Sequence, residues 1–163
     1  MNSTKPQIMI REYRADDAPA MAQLFYDSTH SLGPRRYTPE QVSAWAPAPA
    51  DPGDVHTRAS DGRTTFVAID AAEEVVAYGD LEVDGHIDHL YCRPDAAGAG
   101  VASVLLDELI SRARLAGVPK LYVEASELAR SLFERKGFTL LRRCNFEVRG
   151  VPIHNYAMQR FLN

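Results

Sequence analysis

One stretch limits the choice of fold more than any other. Residues 86–124 read as a strand, a glycine turn, a long helix and a second strand. His86 to Cys92 is the first strand, ended by Pro94, which has no amide to give a ladder. Val101 to Ala116 carries Ala102, Leu105, Leu106, Leu109, Ile110 and Ala113 on one helical face, and Gly117 and Pro119 stop it. Lys120 to Glu124 is the return strand. A crossover of this kind within one sheet is right-handed and leaves its strands parallel. The chain is therefore committed to an α/β architecture.

The remaining elements are mostly antiparallel. Ile8 to Arg14 is a first strand, and Asp16 or Asp17 caps a helix with Met21, Leu24 and Phe25 on one stripe. Thr38, Pro39 and Gln41 form a capping-box pattern before a short helix bearing Val42 and Trp45. Ala46 to Gly62, broken by Pro47, Pro49 and Pro52, reads as a mobile surface connection with one or two helical turns between Asp54 and Ser60. Thr64–Ile69 and Val75–Val83 are strands, and Asp84-Gly85 predicts a two-residue type I′ hairpin into His86. After the crossover, Ser126 caps a helix to Lys136, and Phe138–Leu141, Asn145–Arg149 and Ile153–Phe161 close the sheet. The expected fold is a single domain over residues 1–163: a mixed, mostly antiparallel central sheet with one parallel crossover, flanked by helices.

Composition narrows the function. The chain is 45% hydrophobic and 25% charged, which suits a soluble globular protein and not a disordered one. Eighteen Lys and Arg against 22 Asp and Glu leave a net charge of −4, which argues against a globally basic nucleic-acid binder. Cys92 and Cys144 are too few for a disulfide framework, and no CxxC spacing suggests a structural metal. No apolar run approaches the roughly 20 residues that cross a bilayer. Met1 to Gln7 reads as a loose polar tail without the apolar core of a signal peptide, so the expected location is the cytoplasm.

The chemistry is concentrated in Cys92-Arg93-Pro94-Asp95-Ala96-Ala97-Gly98-Ala99-Gly100-Val101-Ala102. Gly98 and Gly100 allow backbone angles closed to other residues, and small neighbours let a ligand come close. Free amides at a helix start, with the positive end of the dipole behind them, attract an anion such as a pyrophosphate. No Lys-Ser/Thr follows as in a P-loop, and no third glycine with an acidic partner stands at Rossmann spacing. On these residues alone the loop is either an anion site or a tight strand-to-helix turn.

The segment resembles the GNAT superfamily of acetyl-coenzyme A-dependent N-acetyltransferases, whose signature is Gln/Arg-x-x-Gly-x-Gly/Ala. Gly100 and Ala102 match its small positions, while Ala97 replaces the leading Gln/Arg and Ala99 stands where Arg is common. Leu90-Tyr91-Cys92-Arg93-Pro94 and Ala129 to Phe138 are similar to further family segments, and Tyr37 to Trp45 resembles uncharacterised bacterial members. The resemblance covers residues 8–161 and implies the acyl-coenzyme A N-acyltransferase fold, with acetyl-coenzyme A as donor and no metal. It implies that amides of Ala97, Gly98, Ala99, Gly100, Val101 and Ala102, with Ser103, hold the pyrophosphate. Leu90, Tyr91 and Cys92 would bond the pantetheine, and Ser126 the cofactor arm. Arg93, Arg130 or Lys136 are candidates for the missing cation.

Acetyl transfer to an amine needs a base, because a lysine-like amine titrates near about 10.4. Aligned on the glycine loop, the resemblance implies acid/base residues at His86 and Asp88. His86 is the candidate base, since imidazole titrates near about 6.5, with Asp88 to orient it or relay through water. Strict alternation puts His86, Asp88, Leu90 and Cys92 on one face and Ile87, His89 and Tyr91 on the other. Phe133 occupies the place of the family's general-acid Tyr, so either Tyr156 or Tyr78 substitutes or the thiolate leaves unassisted. Tyr37, Trp45, His154 and Asn155 are wall candidates for the acceptor, expected to be a primary amine of a small molecule or peptide. A homodimer is a further expectation. The competing readings are a non-catalytic acyl-coenzyme A-binding regulatory module and a generic anion-binding domain.

Overall fold

The computed structural model describes residues 7–162, so Met1 to Pro6 of the polar start lie outside the described residues. The chain runs β1 (Met9–Glu12), α1 (Ala18–Leu32), α2 (Pro39–Trp45), α3 (Pro52–Ala59), β2 (Thr64–Ile69), β3 (Val75–Leu81), β4 (His86–Ile87), β5 (Leu90–Cys92), α4 (Val101–Leu115), β6 (Lys120–Ala125), α5 (Arg130–Arg135), β7 (Thr139–Val148) and β8 (Val151–Phe161). The strands form two four-stranded sheets, ordered β1-β2-β3-β5 and β4-β6-β8-β7. All pairs are antiparallel except β4 with β6, where His86 faces Tyr122 and Ile87 faces Val123. The parallel crossover expected around α4 is present.

Helix α4 fastens the two sheets together. Its Leu105, Leu106 and Leu109 are fully buried in one cluster with Ala77 of β3, Leu121 of β6 and Phe133 of α5. Each buried leucine contributes about 1.5–3 kcal/mol relative to exposure. A second cluster sets Met21 and Leu24 of α1 against Val67 and Tyr78, and a third sets Tyr37 and Val42 against Ile153. The apolar stripes of these helices are thus buried against the sheets.

Several boundaries differ from expectation. Residues 52–59 form the helix α3, because Asp51 Oδ1 accepts from Gly53 N at 2.7 Å and Pro52 suits the first turn. The hairpin after β3 is a three-residue loop and not a type I′ turn. Gly85 N donates to Glu82 O at 3.0 Å, Glu82 N donates to His86 O at 2.8 Å, and Gly85 takes φ of 101° while Asp84 keeps an ordinary angle. A Cβ at Gly85 would fall 2.1 Å from Lys120 O, so glycine is required there. Helix α5 starts at Arg130, with Ser126 Oγ accepting from Ala129 N at 3.2 Å before it. The two strands expected after Phe138 are one continuous β7 with a register shift at Leu140/Arg142.

The most consequential difference lies within His86–Cys92. The segment is two strands in two sheets, because Glu82 N bonds His86 O and Asp80 N bonds His89 O at 3.0 Å. Leu81 alone therefore faces both Ile87 and Asp88, which makes a β-bulge. The extra residue shifts the phase: Ile87 and Leu90, expected on opposite faces, both join the main core cluster.

Candidate functional site

Beyond Ile87 the chain leaves β6 and continues beside β3, and a cleft of about 470 Å³ opens where the strands part. Leu90 and Tyr91 of β5 line one side, and Val123 to Ser126 with Phe133 line the other. His86 and Asp88 stand at the vertex, and Tyr37, Trp45, His154 and Asn155 complete the wall. Ten of the residues singled out from the sequence thus share one space. Cys92, Arg130 and Tyr156 do not line it.

The glycine loop lies at the outer end of β5. Gly98 and Gly100 take φ of 79° and 83°, and among the described residues nothing stands within 4 Å of where either Cβ would be. Gly100 is the N-cap of α4, with no side chain capping the helix. The first bond that closes back on the loop is Val104 N to Gly100 O at 3.1 Å. Among the described residues, the amides of Gly98, Gly100, Val101, Ala102 and Ser103 have no acceptor, while Ala97 and Ala99 amides bond Pro94 O and Ala96 O. Free donors, open space and a helix dipole coincide, which is the fit a pyrophosphate needs. The three candidate cations are each paired: Arg93 with Asp95 at 2.6 Å, Arg130 with Glu134 at 2.8 Å and Lys136 with Asp107 at 2.9 Å.

His86 is held on both ring nitrogens. Nδ1 lies 2.7 Å from Glu82 Oε1 and Nε2 lies 2.5 Å from Glu124 Oε2, with the ring stacked on Tyr122. Burial alone would lower its pKa, but the hydrogen bonds to Glu82 and Glu124 outweigh it and raise the value above the ordinary range. Glu82 and Glu124 were missed from sequence. The register signals Glu124, which follows Tyr122, the partner of His86, by two residues and so points to the same face as His86. Asp88 is not bonded to His86. Its Oδ2 meets Arg58 at 2.5 Å and Arg63 at 3.2 Å, and these arginines overcome burial to hold its pKa below the carboxylate norm.

His89 turns away from His86. Its Nδ1 is 2.9 Å from the Tyr78 hydroxyl, and burial takes its pKa down to about 4, so the ring is neutral at physiological pH. Tyr78 is thereby committed to His89. Tyr156 is buried, with Arg130 over its ring at 4.5 Å. Burial pushes the Cys92 thiol up to about 11, which leaves it inert. Phe133 is buried edge-on against Phe138 and brings no hydroxyl to the cleft.

On the wall formed by Tyr37, Trp45, His154 and Asn155, Tyr37 is a strut. Its hydroxyl donates to His154 O at 3.1 Å and accepts from Glu127 N at 2.8 Å. His154 Nε2 in turn meets Glu127 Oε2 at 2.5 Å. The Trp45 ring lies edge-on to Tyr37 at 5.5 Å. Asn155 Oδ1 is buried with no hydrogen-bond partner among the described residues.

Splayed strands beside a bare helix start form a site with amides for a diphosphate at one end and room for an extended arm between the strands. Residues 34–160 match the acetyltransferase (GNAT) domain model, and the chain belongs to that family. It is 31% identical over 152 residues, covering 93% of this chain and 95% of the relative, to the uncharacterized N-acetyltransferase YafP of Escherichia coli. It is 30% identical to the L-methionine sulfoximine/L-methionine sulfone acetyltransferase of Pseudomonas aeruginosa, over 86% of this chain and 81% of that one. A GCN5-related N-acetyltransferase from Rhodopseudomonas palustris superposes with a TM-score of 0.88 at 31% identity, over 99% of both chains. A phosphinothricin acetyltransferase from Sinorhizobium meliloti, solved with acetyl-coenzyme A, shares the fold at a TM-score of 0.76 and 21% identity, over 95% of this chain and 88% of that one.

Proposed function

We propose that this chain carries the acetyl group of acetyl-coenzyme A directly to a primary amine of a small molecule or peptide. The observation that supports this most is the conjunction of uncapped amides at Gly98 and Gly100–Ser103 with a cleft between β5 and β6. The amides receive the pyrophosphate, and the edge of Leu90 and Tyr91 receives the pantetheine arm. Bound there, acetyl-coenzyme A supplies an activated thioester. The acceptor class is supported by the named relative from P. aeruginosa, whose two acceptors are amino acids with a free amine. The expected dimer and cytoplasmic location stay outside this reading; no described helix is long and apolar enough to cross a membrane.

An amine with a pKa of about 10.4 arrives as an ammonium and must lose a proton before it attacks. Glu124 lines the cleft and attracts the cation. Its carboxylate passes the proton to His86 Nε2, while Glu82 holds Nδ1–H and fixes the tautomer. Asp88 stays ionised beside Arg58 and Arg63 and adds negative potential at the vertex. No tyrosine is assigned to the departing thiolate, because Tyr78 is bonded to His89 and Tyr156 is outside the cleft. A thiol of pKa about 8.5 leaves tolerably without help near neutral pH.

The buried Phe133 favours one alternative, a regulatory module that binds acyl-coenzyme A without turnover. Acetyl-coenzyme A with a panel of amino acids, polyamines and peptides, followed by free-thiol release, separates the two. Turnover with at least one amine supports the enzyme. Tight binding with no thiol release across the panel supports the module.

A further inference from the structure

Asp80 is 1% exposed in β3, yet it carries a carboxylate. Its three polar contacts with the bulge account for that placement. Oδ1 accepts from His89 N at 2.9 Å and from Asp88 N at 3.2 Å, while its own backbone N donates to His89 O. These are the two amides that the passage from β4 to β5 leaves without a place in either ladder. Oδ2 faces Arg58 at 2.9 Å and Arg63 at 3.2 Å, which compensates the buried charge. An ordinary strand residue could not do this, because a β-bulge leaves its extra amide unpaired and a buried unpaired amide is costly.

We propose that Asp80 is the positioning residue of the cleft: its side chain holds the Asp88–His89 bulge in the shape that parts β5 from β6 and keeps the thioester wedge open. The inference rests on the acetyl-coenzyme A reading but concerns a residue that touches neither substrate. Arg58 also ties α3 to the same carboxylate, so that helix and the bulge share one anchor. What the bulge needs from position 80 is an oxygen beside two amides. The asparagine amide provides one, and alanine does not.

The test compares Asp80→Ala with Asp80→Asn in the full chain, by steady-state kinetics and by calorimetry with coenzyme A. Asp80→Ala is expected to raise KM for acetyl-coenzyme A about tenfold or more, as loss of the acceptor for two partly buried amides implies, while KM for the amine holds. Asp80→Asn is expected to recover most of that loss. Equal impairment of both variants, or an unchanged KM in a folded Asp80→Ala, overturns the proposal. Should Asp80→Ala not fold, amide exchange by NMR on the ligand-free wild-type chain decides. Asp88 and His89 amides should exchange as slowly as those of β3, and exchange as fast as the exposed Val83–Asp84 turn overturns the assignment. Failure of the wild-type chain to bind coenzyme A would instead overturn the acetyltransferase reading, since the exchange experiment needs no ligand.

Discussion

Glu124 Oε2 lies 2.5 Å from His86 Nε2, at the two ladder steps where β4 meets β6. The pair sits at the vertex of the cleft, and its charge sets the pH at which the imidazole gives up its proton. His86 has a raised pKa, so the ring stays cationic to higher pH than a free histidine and becomes a base only above that point. Its ion pairs stabilise the fold fully below about pH 6.5 and are lost as pH rises through the raised value. Glu124→Gln removes one of the two carboxylates. The acidic limb of the kcat/KM profile should move to lower pH, and a limb that stays in place would detach Glu124 from the mechanism.

His86→Ala should lower turnover near pH 7 by about a hundredfold or more, the usual worth of a positioned base. Calorimetry with coenzyme A should show affinity unchanged, because the pyrophosphate amides belong to a different element. Unaltered rates would remove His86 from the reaction.

Gly100→Val should cost coenzyme A affinity at least about tenfold. The residue takes φ of 83°, where a β-branched side chain is strained by about 1–2 kcal/mol, and its bulk would stand in the open approach to the amides. A titration showing retained affinity would place the pyrophosphate elsewhere.

Tyr37→Phe strips a partner from both Glu127 N and His154 O. Leaving these groups unpaired costs about 1–3 kcal/mol, which for a chain of this size lowers Tm by about 2–12 °C. The stop of α2 against β8 should loosen with it, so KM for the amine should rise while KM for acetyl-coenzyme A does not. Equal changes in both would show Tyr37 to be a general stabiliser.

Asp17 gives a prediction at the acid end. Burial would raise its pKa, but Arg11 meets both carboxylate oxygens at 2.8 Å and the Arg14 amide adds a third bond, so the value is lowered. The stabilisation is complete above the unfolded value of about 3.9 and disappears as pH falls through the lower folded value. Wild type should therefore exceed Asp17→Asn in urea midpoint at pH 7, and the gap should close as pH falls below 4. A gap independent of pH would assign the effect to packing.

The glycine loop, the amphipathic stripe of α4 and the Thr38–Gln41 cap were legible because each is a local pattern. Thr38 Oγ1 does accept from Gln41 N at 3.2 Å, and Gln41 Oε1 from Thr38 N at 2.9 Å. The break inside His86–Cys92 was not legible. Its cause is a carboxylate in another strand, and period-two alternation assumes the strand is regular. Helix α3 hid behind three prolines, though Asp51-Pro52 was a readable start. The single strand β7 hid for the opposite reason, because Arg142 and Arg143 on an exposed edge give no apolar alternation. His86, Asp88, Tyr37, Trp45, His154 and Asn155 line one cleft, whereas Glu124 could be found only through the register of a parallel pair, and Glu82 only through the turn that folds it back onto His86.

The unfinished start of α4 ties the folded chain's endurance to the supply of its donor. Five idle nitrogens and a dipole end await a counter-charge, and whatever anion completes them adds RT ln(1 + [L]/Kd) to folding. The protein should therefore resist heat and proteolysis better as acetyl-coenzyme A is raised and less well as it is withdrawn.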